Sequence, residues 1–218
     1  MSLAFNKQID SETLFSVWKI DETADELYSQ LQLKEHETDY LDKLSAGKRN
    51  LQWLSTRALL RKMLNTNDYI DCRIDEHGKP FLVNSSYYIS LSHSFDYAAV
   101  MIGKTKPVGI DLELIKDKII RIEKKFMHPS ESEFIDPDHR IEHLYACWCA
   151  KEAIYKLHGK KYVSFLDNIR LKPFKYHDQG DFDAELNMPD LQLKFKVCYE
   201  KFENYMIGYV AGGEMKLL

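Results

Sequence analysis

The sequence predicts an α+β fold made of two similar α+β halves related by a pseudo-twofold. Three observations carry this reading. A helical pattern, SAGKRNLQWLSTRALLRKML (45–64), precedes two β-rich runs, YYISLSH (87–93) and YAAVMIG (97–103). A second helical pattern, RIEHLYACWCAKEAIYKLHG (140–159), precedes LQLKFKVCYE (191–200) and YMIGYVAG (205–212). The two sets are offset by roughly 100 residues, far beyond a solenoid period, and helix-plus-strand halves of that size each need their own layer packing. Gly103 and Pro107 punctuate the chain between them, so we divide it into residues 1–105 and 106–218. DEHGKPFL (75–82) and FKYHDQGDFDAEL (174–186) read as hairpins with glycine in the turn.

Composition narrows the function. The 218 residues are 44% apolar, enough for a substantial core. The net charge is −4, which weighs against general nucleic-acid binding, because that needs a basic surface. The first residues lack a basic segment followed by an apolar core, and no run approaches the roughly 20 apolar residues that span a bilayer. Cys72, Cys147, Cys149 and Cys198 form no CxxC pair. The expectation is a cytoplasmic protein with reduced thiols and no membrane association.

Val108-Gly109-Ile110-Asp111-Leu112-Glu113-Leu114 reads as a strand. Side chains alternate along it, so Ile110, Leu112 and Leu114 take one face while Asp111 and Glu113 share the other. Two carboxylates about 7 Å apart repel unless a positive charge intervenes. A hard divalent cation such as Mg²⁺ is one solution; a half-exposed strand with solvated acids is the other. On the second helix Trp148, Glu152 and Lys156 recur at i, i+4 and i+8 and share a face. Glu152 fits a third oxygen ligand with Lys156 reaching an anionic substrate, and equally an ordinary surface ion pair. Cys147 and Cys149 lie two apart on a helix, so they read as core rather than as joint ligands.

Ser90, Ser92 and Ser94 take one face of a strand and His93 the opposite face, beside a turn at Phe95-Asp96. Hydroxyls and a ring N–H donate well to phosphate oxygens, although a structural histidine also fits. Gly78-Lys79-Pro80 presents Lys79 from a turn. Arg57 and Arg61, four apart, form a basic stripe of the kind that usually faces solvent.

Taken in order, Gly78-Lys79-Pro80, Ser90-Leu91-Ser92-His93-Ser94, Gly109-Ile110-Asp111-Leu112-Glu113 and Trp148-Cys149-Ala150-Lys151-Glu152-Ala153 with Lys156 resemble the 4′-phosphopantetheinyl transferase family. The likeness spans roughly residues 45 to 160, and beyond Gly159 it is general only. Length and apparent duplication resemble the larger, surfactin-synthetase-activating type, a monomer whose halves mimic a dimer. The resemblance implies transfer of the 4′-phosphopantetheine arm of coenzyme A to a serine of an apo acyl or peptidyl carrier protein, with release of 3′,5′-adenosine bisphosphate. It implies Mg²⁺ on Asp111, Glu113 and Glu152, and Lys156 on the transferred phosphate. It places Arg57, Lys79, Ser92 and His93 at the nucleotide end, with Lys48 and Arg49 as further basic candidates. Glu152 or a water on the metal is the implied base. The basic segment KDKIIRIEKK (116–125) is a candidate docking surface for the carrier protein. Two other readings remain: a non-catalytic module of the same fold that binds coenzyme A or a partner, and a metal-dependent nuclease using the same acids and lysine.

Overall fold

The computed structural model describes residues 2–44 and 47–215. The chain divides into two units, Met1–Asp75 with Pro80–Thr105, and Glu76–Lys79 with Lys106–Leu218. Each contains antiparallel sheet and helix, an α+β arrangement.

The first unit has a four-stranded sheet in the order β1 (Ser2–Asp10), β2 (Thr13–Lys19), β6 (Tyr97–Gly103), β5 (Tyr88–Ser94). Its helices are α1 (Ala24–Ser29), α2 (Glu35–Lys43) and α3 (Lys48–Leu64). A reciprocal Thr23–Glu26 box starts α1, satisfying amide donors that the first helical turn leaves open. Asn65 in the left-handed region stops α3. The long helix expected over 45–64 is thus observed from Lys48, residues 45 and 46 lying outside the described residues. Its apolar positions Leu54, Leu59 and Leu60 bury with Trp18, Leu27, Ile89, Val100 and Ile102. The β5–β6 turn is Phe95-Asp96, with Phe95 at φ +50°. An aromatic residue is disfavoured there. Gln52 of α3 donates to Phe95 O (3.1 Å), and Lys48 donates to Asp96 (3.0 Å) while lying 4.6 Å from the Phe95 ring. A short hairpin joins β3 (Cys72–Ile74) to β4 (Pro80–Leu82), and Gly78 in its turn takes φ +92°.

The second unit carries a sheet in the order β7 (Val108–Leu114), β11 (Tyr205–Ala211), β10 (Leu191–Phe202), β9 (Gln179–Met188), β8 (Ile169–Leu171); β12 (Glu214–Met215) adds to β10. The basic segment forms a 3₁₀ turn (Asp117–Arg121) and α4 (Glu123–Phe126); α5 (Pro129–Ser132) and α6 (Arg140–His158) follow. One expectation is corrected here. Gly180 is not in a turn; it lies inside β9 opposite Tyr199, where a Cβ would come within 3.1 Å of the tyrosine hydroxyl. A glycine within a strand marks close approach of another group.

The same rule explains how α6 reaches the sheet. A Cβ on Gly109 of β7 would lie 1.9 Å from Ala153 O, and one on Gly208 of β11 would lie 2.6 Å from the Cys149 carbonyl carbon. These obstacles are backbone, which cannot swing away. The helix therefore rests directly on two strands. Leu144, Cys147, Ala150 and Ile154 of α6 share one core with Ile169, Leu186, Val197, Met206 and Val210. Close packing leaves no slack for an added methyl. Gly109→Ala is expected to cost about 1–3 kcal/mol by overpacking. Equilibrium denaturation will read this as a lower midpoint with unchanged slope; an unaltered midpoint would contradict the packing argument.

Candidate active site

The glycine contact decides what lies beneath α6. Gly109, Asp111 and Glu113 occupy alternate positions of β7 and so share a face. Gly109 meets α6, and that face is therefore the helix-facing one. Asp111 pairs in register with Gly208, and Glu113 with Met206. Val108, Ile110 and Leu112 are buried on the opposite face. The acidic strand is thus covered on both sides rather than half-exposed.

Asp111 is 4% exposed. Its Oδ1 accepts a hydrogen bond from Lys156 Nζ at 2.7 Å, and the same ammonium donates to Ile110 O at 3.1 Å. Glu113 and Glu152 are half-buried. Burial, reinforced by the charges of Asp111 and Glu113 and opposed by Lys156, pushes the Glu152 carboxyl up to about 7. Cys149 touches the group from the helix side: burial, with the charges of Asp111 and Glu113, pushes its thiol well up. Trp148 packs edge-on against Phe126 (5.1 Å) and beside Phe165 (5.6 Å). The i, i+4, i+8 spacing therefore yields an aromatic anchor followed by two ionisable groups at the strand.

An implied Mg²⁺ can be tested against these residues. Three carboxylates are the donor type it prefers, and a carboxyl pushed up to about 7 by burial, with the charges of Asp111 and Glu113 adding, is one that a cation would hold ionised. The donor chemistry fits. As the side chains stand, Lys156 rather than a cation meets Asp111, and among the described residues no three His, Cys, Asp or Glu side chains form a ready metal-ligating group.

The remaining candidates are placed as follows. Lys79 is half-buried, and its ammonium donates to Leu157 O near the end of α6. Gly159 caps that helix at φ +70°. In the first unit, His93 is exposed on β5 while Ser90, Ser92 and Ser94 are buried on its other face. The strand does not bring Ser92 and His93 to one surface. Arg57 is half-buried with its guanidinium 4.2 Å from the Trp53 ring, and Arg61 is tied to Asn67 O at 2.7 Å. The pair is engaged with its own unit rather than forming a solvated stripe. Lys48 is committed to Asp96.

Sequence reasoning missed Lys151. It is fully buried, paired with Glu131 at 2.6 Å and donating to backbone carbonyls. Its only signal was a lysine placed directly after Cys149 and Ala150, residues that the core wants.

Comparison with known proteins converges on this segment. Residues 107–210 match the family model described as the 4′-phosphopantetheinyl transferase superfamily. A 4′-phosphopantetheinyl transferase of Bacillus subtilis is 32% identical over 145 residues, 63% of this chain and 61% of that protein. The 4′-phosphopantetheinyl transferase gsp of Aneurinibacillus migulanus is 31% identical over 125 residues, 56% of this chain and 52% of that protein. The 4′-phosphopantetheinyl transferase AcpT of Escherichia coli K12 is 31% identical over 119 residues, 52% of this chain and 60% of that protein. The matches thus span about three-fifths or less of these relatives. The segment that matches the superfamily model contains Asp111, Glu113, Glu152 and Lys156.

Proposed function

We propose that this chain transfers the 4′-phosphopantetheine moiety of coenzyme A to a serine of an apo acyl or peptidyl carrier protein, dependent on Mg²⁺, releasing 3′,5′-adenosine bisphosphate. The observation that carries the reading is Lys156 held against buried Asp111, with Glu152 beside them, inside the segment that matches the superfamily. A module that only binds a partner has no need for three crowded acids. Residues 106–218 supply the metal side in this reading, and residues 1–105 the nucleotide side, where Arg57, Ser92 and His93, together with Lys79, are assigned. The chain acts as a cytoplasmic monomer. The four cysteines are free thiols, and among the described residues no helix is long and apolar enough to cross a membrane.

The serine oxygen attacks the β-phosphorus of coenzyme A. A new P–O bond forms as the anhydride P–O bond breaks, and the bisphosphate departs with the electron pair. Such transfer asks for positioning and charge neutralisation. Bound on Asp111, Glu113 and Glu152, Mg²⁺ would neutralise the pyrophosphate. Lys156 orients toward the transferred phosphate from its seat on Asp111. The serine proton goes to Glu152 or to a water on the metal, the two bases that the reading allows.

The exposed residues of 116–125 are Lys118, Arg121, Lys124 and Lys125, with Asp117 and with Ile120 46% exposed; Glu123 is buried against Arg140. This surface is basic with one apolar point, on a chain of net charge −4. It suits an acidic carrier protein.

Three experiments follow. Apo carrier protein incubated with coenzyme A and Mg²⁺ should gain about 340 Da, and Glu152→Gln should lose this gain because charge neutralisation is weakened. No gain across a panel of apo carriers would refute the transferase reading. The second concerns stability. Glu152 holds its proton up to about 7 when folded and ionises near 4.5 otherwise. Its contribution therefore favours the fold at low pH and is lost as pH rises through 7. Glu152→Gln should match the parent Tm at pH 4 and exceed it by several degrees at pH 8. Millimolar Mg²⁺ should raise the parent Tm at pH 8 and leave the variant unchanged; equal shifts in both would remove Glu152 from the ligand set. Third, Lys124→Glu with Lys125→Glu should raise KM for carrier protein about tenfold by reversing the local field, with coenzyme A affinity unchanged. Unaltered kinetics would dismiss the docking surface.

A further inference from the structure

The buried Lys151–Glu131 pair has no part in the chemistry above, yet its ammonium meets four oxygens. Lys151 Nζ lies 2.6 Å from Glu131 Oε2, 2.7 Å from Phe126 O, 2.9 Å from Phe165 O and 3.0 Å from Ile169 O. Glu131 in turn accepts from His128 N (2.8 Å) and Leu171 N (2.7 Å). The two side chains are 0% and 1% exposed. One ammonium thus ties the end of α4, the helix α5, the loop after α6 and the start of β8 to a single point on α6.

Stability alone does not call for this arrangement. Sealing two charges in the interior carries a desolvation cost, and apolar residues of like volume often serve the fold as well or better. What the pair adds is direction, because an ammonium can satisfy those oxygens only from one place. Cys149 and Ala153 meet the sheet at Gly208 and Gly109. Lys151, two residues from each, is turned about 200° from either on a helix of 3.6 residues per turn. The helix is thus gripped from opposite sides. Its rotation about its own axis is fixed, and so is the direction in which Glu152 and Lys156 project.

We propose that Lys151 and Glu131 are positioning residues: their pair sets the rotation of α6 and thereby holds Glu152 and Lys156 against Asp111. The proposal rests on the transferase reading for its kinetic consequence only.

The test is the double replacement Lys151→Met with Glu131→Met, which keeps volume and removes both charges. It should unfold cooperatively with a Tm near the parent's. Its kcat for phosphopantetheine transfer should fall tenfold or more, with KM for coenzyme A within about twofold, since only an interaction made at the reacting geometry is lost. Its crystal structure should show Lys156 Nζ withdrawn from Asp111 Oδ1, beyond hydrogen-bond distance. A folded double variant with parental kcat and an intact Lys156–Asp111 contact would overturn the proposal. If the double replacement does not fold, Glu131→Gln decides. It keeps shape and amide contacts, so a kcat reduced about fivefold at unaltered KM supports the proposal, and a parental kcat overturns it. Should the parent itself transfer nothing, the transferase reading fails, while the α6 geometry in the variant structure still judges the positioning pair.

Discussion

The arrangement depends on how near a helix can come to a sheet. At Gly109 and Gly208 the backbone of α6 presses against strands with no side chain between them. Any larger residue would lift the helix by the depth of a methyl or more, and interiors packed at crystal density have no compensating space. Because Asp111 follows two residues after Gly109 on the same face, and is paired in register with Gly208, the closest point of the contact is also where the acid is buried. Proximity of helix and strand and burial of the carboxylate are one fact seen twice. A site built on a helix and a strand in such contact is held more rigidly than one carried on loops.

That closeness creates an electrostatic problem which the unit solves in part. Burial pushes the Glu152 carboxyl up, the charges of Asp111 and Glu113 add to it, and Lys156 offsets only some of the effect. A fold selected for stability alone gains little from gathering acids at its core margin. A shifted carboxyl with a specific lysine partner in a cluster of acids is the electrostatic mark of a candidate functional site.

Much of this was readable without coordinates, for a definite reason. The helices α3 and α6 and the strands β5, β6, β7, β10 and β11 fall on runs that composition and length mark as helical or β-rich, and Asp111, Glu113, Glu152 and Lys156 fall at spacings of two and four along them. Pattern reading assigns nothing to the first 19 residues, where β1 and β2 lie; β1 sits at a sheet edge and mixes Asn6, Lys7 and Gln8 among its apolar residues, so no clean alternation survives. Gly180 misleads because glycine marks both turns and close approaches, and only Tyr199, 19 positions away, distinguishes them. Arg57 reads as a solvent-facing cation when paired with Arg61, although Trp53, four residues before it on the same helix face, is where its guanidinium rests.

Lys151 and Lys156 show where local reading ends. Both lie on one helix, five residues apart, and in the sequence they are equivalent cations. The first is sealed with every donor committed to oxygens brought from residues 126, 131, 165 and 169. The second is half-buried, its contact with Asp111 open enough to be rearranged by an incoming anion. The difference lies in what surrounds them. A lysine enclosed by carbonyls on all sides can only hold, because leaving would strand a buried carboxylate. A lysine with part of its side chain in solvent can turn toward an incoming anion, provided that another cation takes its place on the buried Asp111. The same side chain therefore serves as a fastener at one position and as a movable charge at the other, and the distinction follows from solvent access alone.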